Sequence, residues 1–148
     1  MLLFCRCGQA MTLSFRMLVF ENMYQIDLVP ILECEDCSSY ELIPSFKQDV
    51  TKLLAELKEQ RQEGRVVFTS VNELASVLYD IYKSGQELLE VSSFDAFLVE
   101  KCEERINLLL DLYGYASKAG DADWMETISF RLSSLSSFVK KRQFLETK

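Results

Sequence analysis

Two short cysteine motifs, CRCG at residues 5–8 and CEDC at residues 34–37, bracket the stretch of sequence that decides the fold. Between them, apolar and polar side chains alternate along residues 9–33, which is the two-residue period of half-buried β-strands. Glu21-Asn22-Met23 interrupts the alternation and can turn the chain. The pattern therefore predicts a β-hairpin that carries the chain from the first cysteine motif out and back to the second.

The alternation also assigns the side chains of the hairpin to faces. One face of the first strand carries Leu13, Phe15 and Met17, and one face of the second strand carries Tyr24, Ile26 and Leu28. Pro30 has no N–H to donate to a neighbouring strand. We therefore expect the second strand to end at Pro30 or to lie there at an edge of the sheet.

From Ser45 onward the apolar residues recur at helical spacing. The predicted inward stripes are Phe46, Val50, Leu53, Leu54 and Leu57; Val71, Leu74, Ala75, Leu78, Ile81 and Tyr82; Phe94, Phe97, Leu98, Cys102, Ile106, Leu109, Leu110 and Tyr113; and Met125, Ile128, Leu132, Leu135 and Val139. Capping sequences at residues 45–48, 70–73 and 123–126 predict three of the helix starts. Residues 65–68 (RVVF) fit either a connector or a small strand.

These patterns together predict an α+β fold. We expect residues 1–44 to form a small four-cysteine unit built on the β-hairpin. Residues 45–148 form an antiparallel bundle of three or four helices, since capped amphipathic helices with short loops pack in this way.

The absence of histidine from all 148 residues limits the chemistry. It removes the commonest general base, the Ser–His and Cys–His nucleophile pairs, and every metal site that contains histidine. No other set of residues supports catalysis, so we expect a protein that is not an enzyme. Any metal ion must be held by cysteine or carboxylate side chains.

The four paired cysteines, Cys5, Cys7, Cys34 and Cys37, predict a structural site for one Zn²⁺. A hairpin would bring the two pairs together, and each close pair can span one edge of the sulfur tetrahedron that zinc prefers. Two alternatives remain: reduced thiols without a metal, and a redox pair. The acidic spacer in CEDC disfavours the redox pair because negative charge raises thiol pKa values. A fifth cysteine, Cys102, lies on a helical stripe and is expected in the core.

The motif Cys-x-Cys-Gly, an alternating hairpin and Val-Pro-Ile-Leu-Glu-Cys-x-x-Cys (residues 29–37) resemble the YgiT/MqsA-type zinc-ribbon domain over about residues 3–43. The resemblance implies one structural zinc held by Cys5, Cys7, Cys34 and Cys37. It also implies a ribbon that fronts antitoxin-like regulators and engages a protein partner. The helical part lacks a convincing helix-turn-helix, so the DNA-binding half of that family does not carry over.

Charge argues against a nucleic-acid partner. The chain has a net charge of −7, and residues 1–45 carry six acidic but two basic side chains, whereas nucleic-acid binding depends on neutralising phosphates. The one basic run, residues 140–142, is typical of a solvated helix end. No apolar run is long enough to span a bilayer, and the N-terminus does not resemble a secretory signal, so a cytoplasmic protein without a membrane partner is expected.

The expected function is therefore a non-enzymatic protein-interaction module, an adaptor or antitoxin-like regulator with a structural zinc ribbon. The first alternative is a nucleic-acid-binding transcriptional regulator, and the second is a thiol redox protein. The sequence does not define the protein partner or the oligomeric state.

Overall fold

A computed structural model describes residues 5, 7–9, 11–60, 64–84 and 91–141, with the backbone alone for residues 91–94 and 141. The strands are β1 (Met11–Phe20), β2 (Tyr24–Cys34), β3 (Tyr40–Leu42) and β4 (Gly64–Val67). The helices are α1 (Pro44–Glu59), α2 (Phe68–Val71), α3 (Glu73–Lys83), α4 (Val91–Ala119) and α5 (Ala122–Lys141). An N-terminal, mainly antiparallel sheet followed by helices confirms the predicted α+β fold. Of the two interpretations of residues 65–68, the small strand is confirmed for Arg65 to Val67.

The predicted hairpin is formed by β1 and β2, which pair antiparallel from Met11 opposite Cys34 to Phe20 opposite Tyr24. Glu21 and Asn22 turn the chain with φ values of 55° and 54°. This left-handed conformation matches the twist of the two strands. The N–H of Met23 closes the turn by donating to the carbonyl oxygen of Phe20 at 3.1 Å.

A bulge makes one of the predicted faces wrong. The register of β1 against β2 shifts between Arg16 and Leu18, so Leu18 turns inward and Met17 is 53% exposed. On the opposite strand Leu28 takes a positive φ of 58°. A single extra residue reverses the direction of every later side chain, which strict alternation cannot anticipate.

The expectation that the second strand ends at Pro30 is wrong, because β2 continues to Cys34; the alternative, an edge at Pro30, holds only on the side of β2 away from β1. Strand β1 pairs with β2 on one side. On the other side, β4 runs parallel to residues 24–27 and β3 runs antiparallel to residues 31–33. Pro30 lies between these two short partners. Its missing N–H therefore breaks no ladder bond on that side.

Residues next to the predicted capping boxes, rather than the boxes themselves, begin or cap the helices. Helix α1 begins at Pro44, whose fixed φ and absent N–H suit a first helical turn. The side chain of Asn72 accepts the N–H of Ala75 at 3.0 Å and caps α3, and Asp121 accepts the N–H of Trp124 at 3.0 Å and caps α5. Between α4 and α5, Gly120 has the positive φ (68°) that commonly ends a helix.

Most of the predicted stripes do face the interior. The buried members include Phe46, Val50, Leu57, Ala75, Leu78, Ile81, Leu98, Cys102, Leu109, Ile128 and Leu135. Val71, Tyr82 and Leu110 are exceptions, with 51%, 45% and 53% of their surface exposed. The side chain of Phe94 lies outside the described residues.

The sheet and the helices share one hydrophobic core. Buried residues of β1 and β2 belong to the same cluster as those of helices α1 to α5. Phe15 on β1 packs against Tyr79 and Tyr82 on α3, with ring centroids 5.0 and 5.1 Å apart. The rings of Phe46 and Phe68 meet edge to face at 5.6 Å. The division into units 1–44 and 45–148 remains a prediction.

A charged cluster joins the last three helices. The carboxylate of Glu73 on α3 accepts hydrogen bonds from Arg105 on α4 at 2.6 Å and from Arg131 on α5 at 2.7 Å. Arg105 also donates to Asp80 at 2.6 Å. Only 9% of the Glu73 side chain is exposed. One carboxylate thus holds two guanidinium groups from different helices.

Among the described helices, none combines the length and apolar character that crossing a bilayer requires.

Candidate metal centre

The open end of the hairpin places the two cysteine motifs side by side. Met11, the first residue of β1, pairs with Cys34, the last residue of β2. Cys7 lies four positions before Met11 and Cys37 three positions after Cys34. Because the strands are in antiparallel register, the loops that precede β1 and follow β2 must meet at this end.

Each motif forms a tight loop closed by backbone hydrogen bonds. In the first loop the N–H of Gly8 donates to the carbonyl of Cys5 at 2.9 Å, and the N–H of Cys5 donates to Gln9 at 2.8 Å. In the second loop the N–H of Ser38 donates to Cys34 at 3.1 Å, and the N–H of Cys34 donates to Ser39 at 2.8 Å. The two loops therefore present their cysteine side chains in a similar way.

Both loops contain a residue in the left-handed region. Gly8 has a φ of 93° and Ser38 has a φ of 62°. Glycine adopts this conformation readily, whereas serine is strained there. The second loop thus reaches its turn without the glycine that would favour it.

All four predicted ligand atoms come together. The sulfur atoms of Cys5, Cys7, Cys34 and Cys37 lie within 4.8 Å of one another. Two sulfur pairs are closer, Cys5 with Cys37 and Cys7 with Cys34, each at 3.4 Å. A tetrahedron with Zn–S bonds of about 2.3 Å has sulfur atoms about 3.8 Å apart. The observed separations bracket that value, so the donor set fits a four-coordinate metal ion.

The cluster lies at the border of the core. Cys34 is buried and Cys5 is partly buried against the core, whereas Cys7 and Cys37 are exposed. The inner half of the cluster is thus held by packing, and the outer half is open to solvent. Cys102 is buried on α4 and is not part of the cluster, as expected.

The pKa values of two thiols diverge inside the cluster. The backbone N–H of Gln9 favours the thiolate of Cys7, but contacts with the Cys34 and Cys5 sulfurs outweigh it and raise the Cys7 pKa to about 12. Hydrogen bonding with the side chain and the backbone of Ser39 lowers the pKa of Cys37 to about 6. Sulfur atoms this close share protons, and a divalent cation would stabilise the thiolates in place of those protons.

The expectation that the acidic spacer raises the thiol pKa is therefore wrong for Cys37. The residue responsible is Ser39, whose hydroxyl lies 3.2 Å from the Cys37 sulfur and which the sequence patterns did not single out. The spacing of Cys37 and Ser39 is the sequence signal that could have indicated this contact. The second residue after a loop cysteine can place both its N–H and its hydroxyl beside the sulfur. A local hydrogen bond outweighs the diffuse charge of exposed carboxylates.

Comparisons with protein-family models, curated proteins and solved structures find no match to this chain. The geometry of the four cysteines therefore stands as the basis for interpreting the site.

Proposed function

We propose that Cys5, Cys7, Cys34 and Cys37 bind one structural Zn²⁺ and that the chain is a non-enzymatic protein-interaction module of the YgiT/MqsA-type ribbon class. The observation that carries this proposal is the meeting of four sulfur atoms within 4.8 Å. When bound, zinc would hold the two loops together through the four cysteine thiolates. Four protein ligands leave no coordination position for water or substrate. The role of the metal is thus to stabilise the hairpin end.

Measuring the zinc content of the purified protein tests whether the four cysteines bind a metal ion. Protein purified without chelator or affinity metal is expected to contain about one zinc per chain, as a single four-thiolate site requires. Thiol titration should show four protected cysteines that react after a strong chelator is added. Metal-free protein with freely reactive paired thiols would contradict the proposal.

The hairpin turn, opposite the cysteine end, is the surface that we propose for a protein partner. Met17, Val19 and Met23 are 53%, 52% and 43% exposed there. Exposed apolar side chains that lie together commonly mark interaction sites. An adaptor or antitoxin-like regulator in a reducing compartment such as the cytoplasm would present this surface while zinc holds the far end of the hairpin.

The double variant Met17→Lys/Val19→Lys tests that surface. Tagged wild-type chain, cross-linked in its native cells, is expected to co-purify with one stoichiometric protein partner that the double variant loses. Leu110→Lys is the matched control, because Leu110 is also 53% exposed but lies on α4. Retention of the partner by the double variant would exclude the hairpin turn as the docking surface.

A further inference from the structure

The four sulfur atoms are arranged as two pairs that each cross between the loops. Cys5 and Cys37 are in contact at 3.4 Å, and so are Cys7 and Cys34. Each pair joins the loop before β1 to the loop after β2. In each pair one cysteine is exposed and the other is more shielded: Cys37 is exposed beside Cys5, and Cys7 is exposed beside Cys34.

We infer that a hydroperoxide oxidises this cluster to two specific disulfides, Cys5–Cys37 and Cys7–Cys34, and so releases the metal ion. The inference rests on the proposed function, since release requires a bound zinc. The exposed member of each pair meets the oxidant, and the shielded member is already in contact to complete the bond.

The chemistry balances with a hydroperoxide as the only oxidant. The exposed thiolate attacks the peroxide oxygen and becomes a sulfenic acid, while the O–O bond breaks and hydroxide or alkoxide leaves. The shielded thiolate then attacks the sulfenic sulfur, forms the S–S bond and expels hydroxide. For hydrogen peroxide, two molecules and four protons yield two disulfides, four water molecules and the free Zn²⁺. Each sulfur loses one electron and the peroxide oxygens accept them.

Geometry favours these pairs over pairs within one loop. A disulfide has an S–S distance of about 2.0 Å, so each crossed pair must close by roughly 1.4 Å. Cys5 and Cys7 are separated by one residue, which makes a strained ring. The Cys34 sulfur is in contact with the Cys7 sulfur at 3.4 Å, in a cluster whose sulfurs all lie within 4.8 Å of one another. The crossed bonds tie together the same two loops that the metal ties.

Peptide mapping of the full chain distinguishes the pairings. Trypsin cuts after Arg6 and separates Cys5 from Cys7, and cleavage after Glu35 or Asp36 separates Cys34 from Cys37. After hydrogen peroxide treatment, non-reducing mass spectrometry should show peptides linked 5–37 and 7–34. A zinc-sensitive dye should report about one metal ion released per two disulfides, as one four-thiolate site requires. Buried Cys102 should remain a thiol and serves as the internal control.

The other outcomes separate this inference from the proposed function. Zinc in the untreated protein, followed by linkage 5–7 and 34–37 or by thiols that survive peroxide, would overturn the inference and leave the zinc site intact. Untreated protein without zinc would overturn the proposed function and the release step with it. Circular dichroism of the oxidised chain should match the zinc-loaded chain; loss of strand signal would overturn the claim that the crossed bonds replace the metal.

Discussion

Replacement of Cys34 by serine is expected to abolish stoichiometric zinc binding and to loosen the cysteine end of the hairpin. Cys34 is 1% exposed, ends β2 and lies 3.4 Å from the sulfur of Cys7. A serine hydroxyl does not ionise near neutral pH and is a poor substitute for a thiolate. Because even changes outside the ligand shell commonly cost 10–100-fold in affinity, we expect zinc affinity to fall by more than about 100-fold.

Competition with a chromophoric chelator measures that affinity, and urea unfolding with and without zinc measures the linked stability. Zinc binding and folding share one free energy in small metal-stabilised units, so zinc should no longer raise the unfolding midpoint of Cys34→Ser. Cys102→Ser is the matched control, since it makes the same chemical change at a fully buried site on α4. The control should lose stability and keep its zinc affinity. An equal loss of affinity in both variants would contradict Cys34 as a ligand.

Replacement of Glu73 by glutamine is expected to lower the free energy of unfolding by about 2 kcal/mol. This is less than the roughly 3–5 kcal/mol lost when one partner of a fully buried ion pair is removed, because the Arg131 side chain is 36% exposed. The carboxylate receives hydrogen bonds from Arg105 and Arg131 at 2.6 to 3.1 Å and is mostly shielded from water. Glutamine keeps the shape but leaves two guanidinium groups without that shared counter-charge. Urea unfolding followed by circular dichroism measures the effect.

The matched control is Glu104→Gln. Glu104 is 61% exposed and pairs with Lys101 at 3.3 Å within α4. Exposed pairs contribute little, so the control should stay within about 0.5 kcal/mol of the wild type. Equal losses in both variants would mean that the Glu73 cluster stabilises the helices no more than a surface pair does.

The pH dependence of the unfolding free energy tests the role of Glu73 independently. Burial by itself raises the pKa of Glu73, but hydrogen bonds from Arg131 and Arg105 outweigh burial and hold the pKa below its usual value of 4.5. A carboxyl whose pKa is lowered by folding contributes its stability above the unfolded pKa and loses it as pH falls through the folded pKa. The difference between wild type and Glu73→Gln should therefore be full at neutral pH and shrink below about pH 4.5. A difference that does not change with pH would contradict this role.

The sequence predicted the elements whose signals are local. The two-residue alternation predicted the hairpin, the helical spacing predicted most of the inward residues, and the cysteine spacing predicted four sulfurs that meet in the structure. These features depend on the period of the backbone and on chain connectivity. An antiparallel hairpin must return its end to its beginning, so Cys5 and Cys37 could be placed together without knowledge of the core.

Other features depend on contacts between residues far apart in the chain. The sequence did not predict the helix caps at Asn72 and Asp121, because several nearby residues can accept the same N–H group. Nor did alternation reveal the bulge beside Met17, since only the pairing of the two strands shows that Asp27 and Leu28 on β2 lie opposite this one residue.

By itself, then, the sequence determined the α+β class, the hairpin and the set of four cysteines. The tertiary structure alone decided that Pro30 can lie inside the sheet, because two short strands leave a gap beside it. It alone decided that Glu73 joins α3, α4 and α5, because its partners are 32 and 58 residues away. It also decided which sulfurs touch, since crossed pairing requires both loops in place. Local periodicity carries no information about partners that only packing brings together.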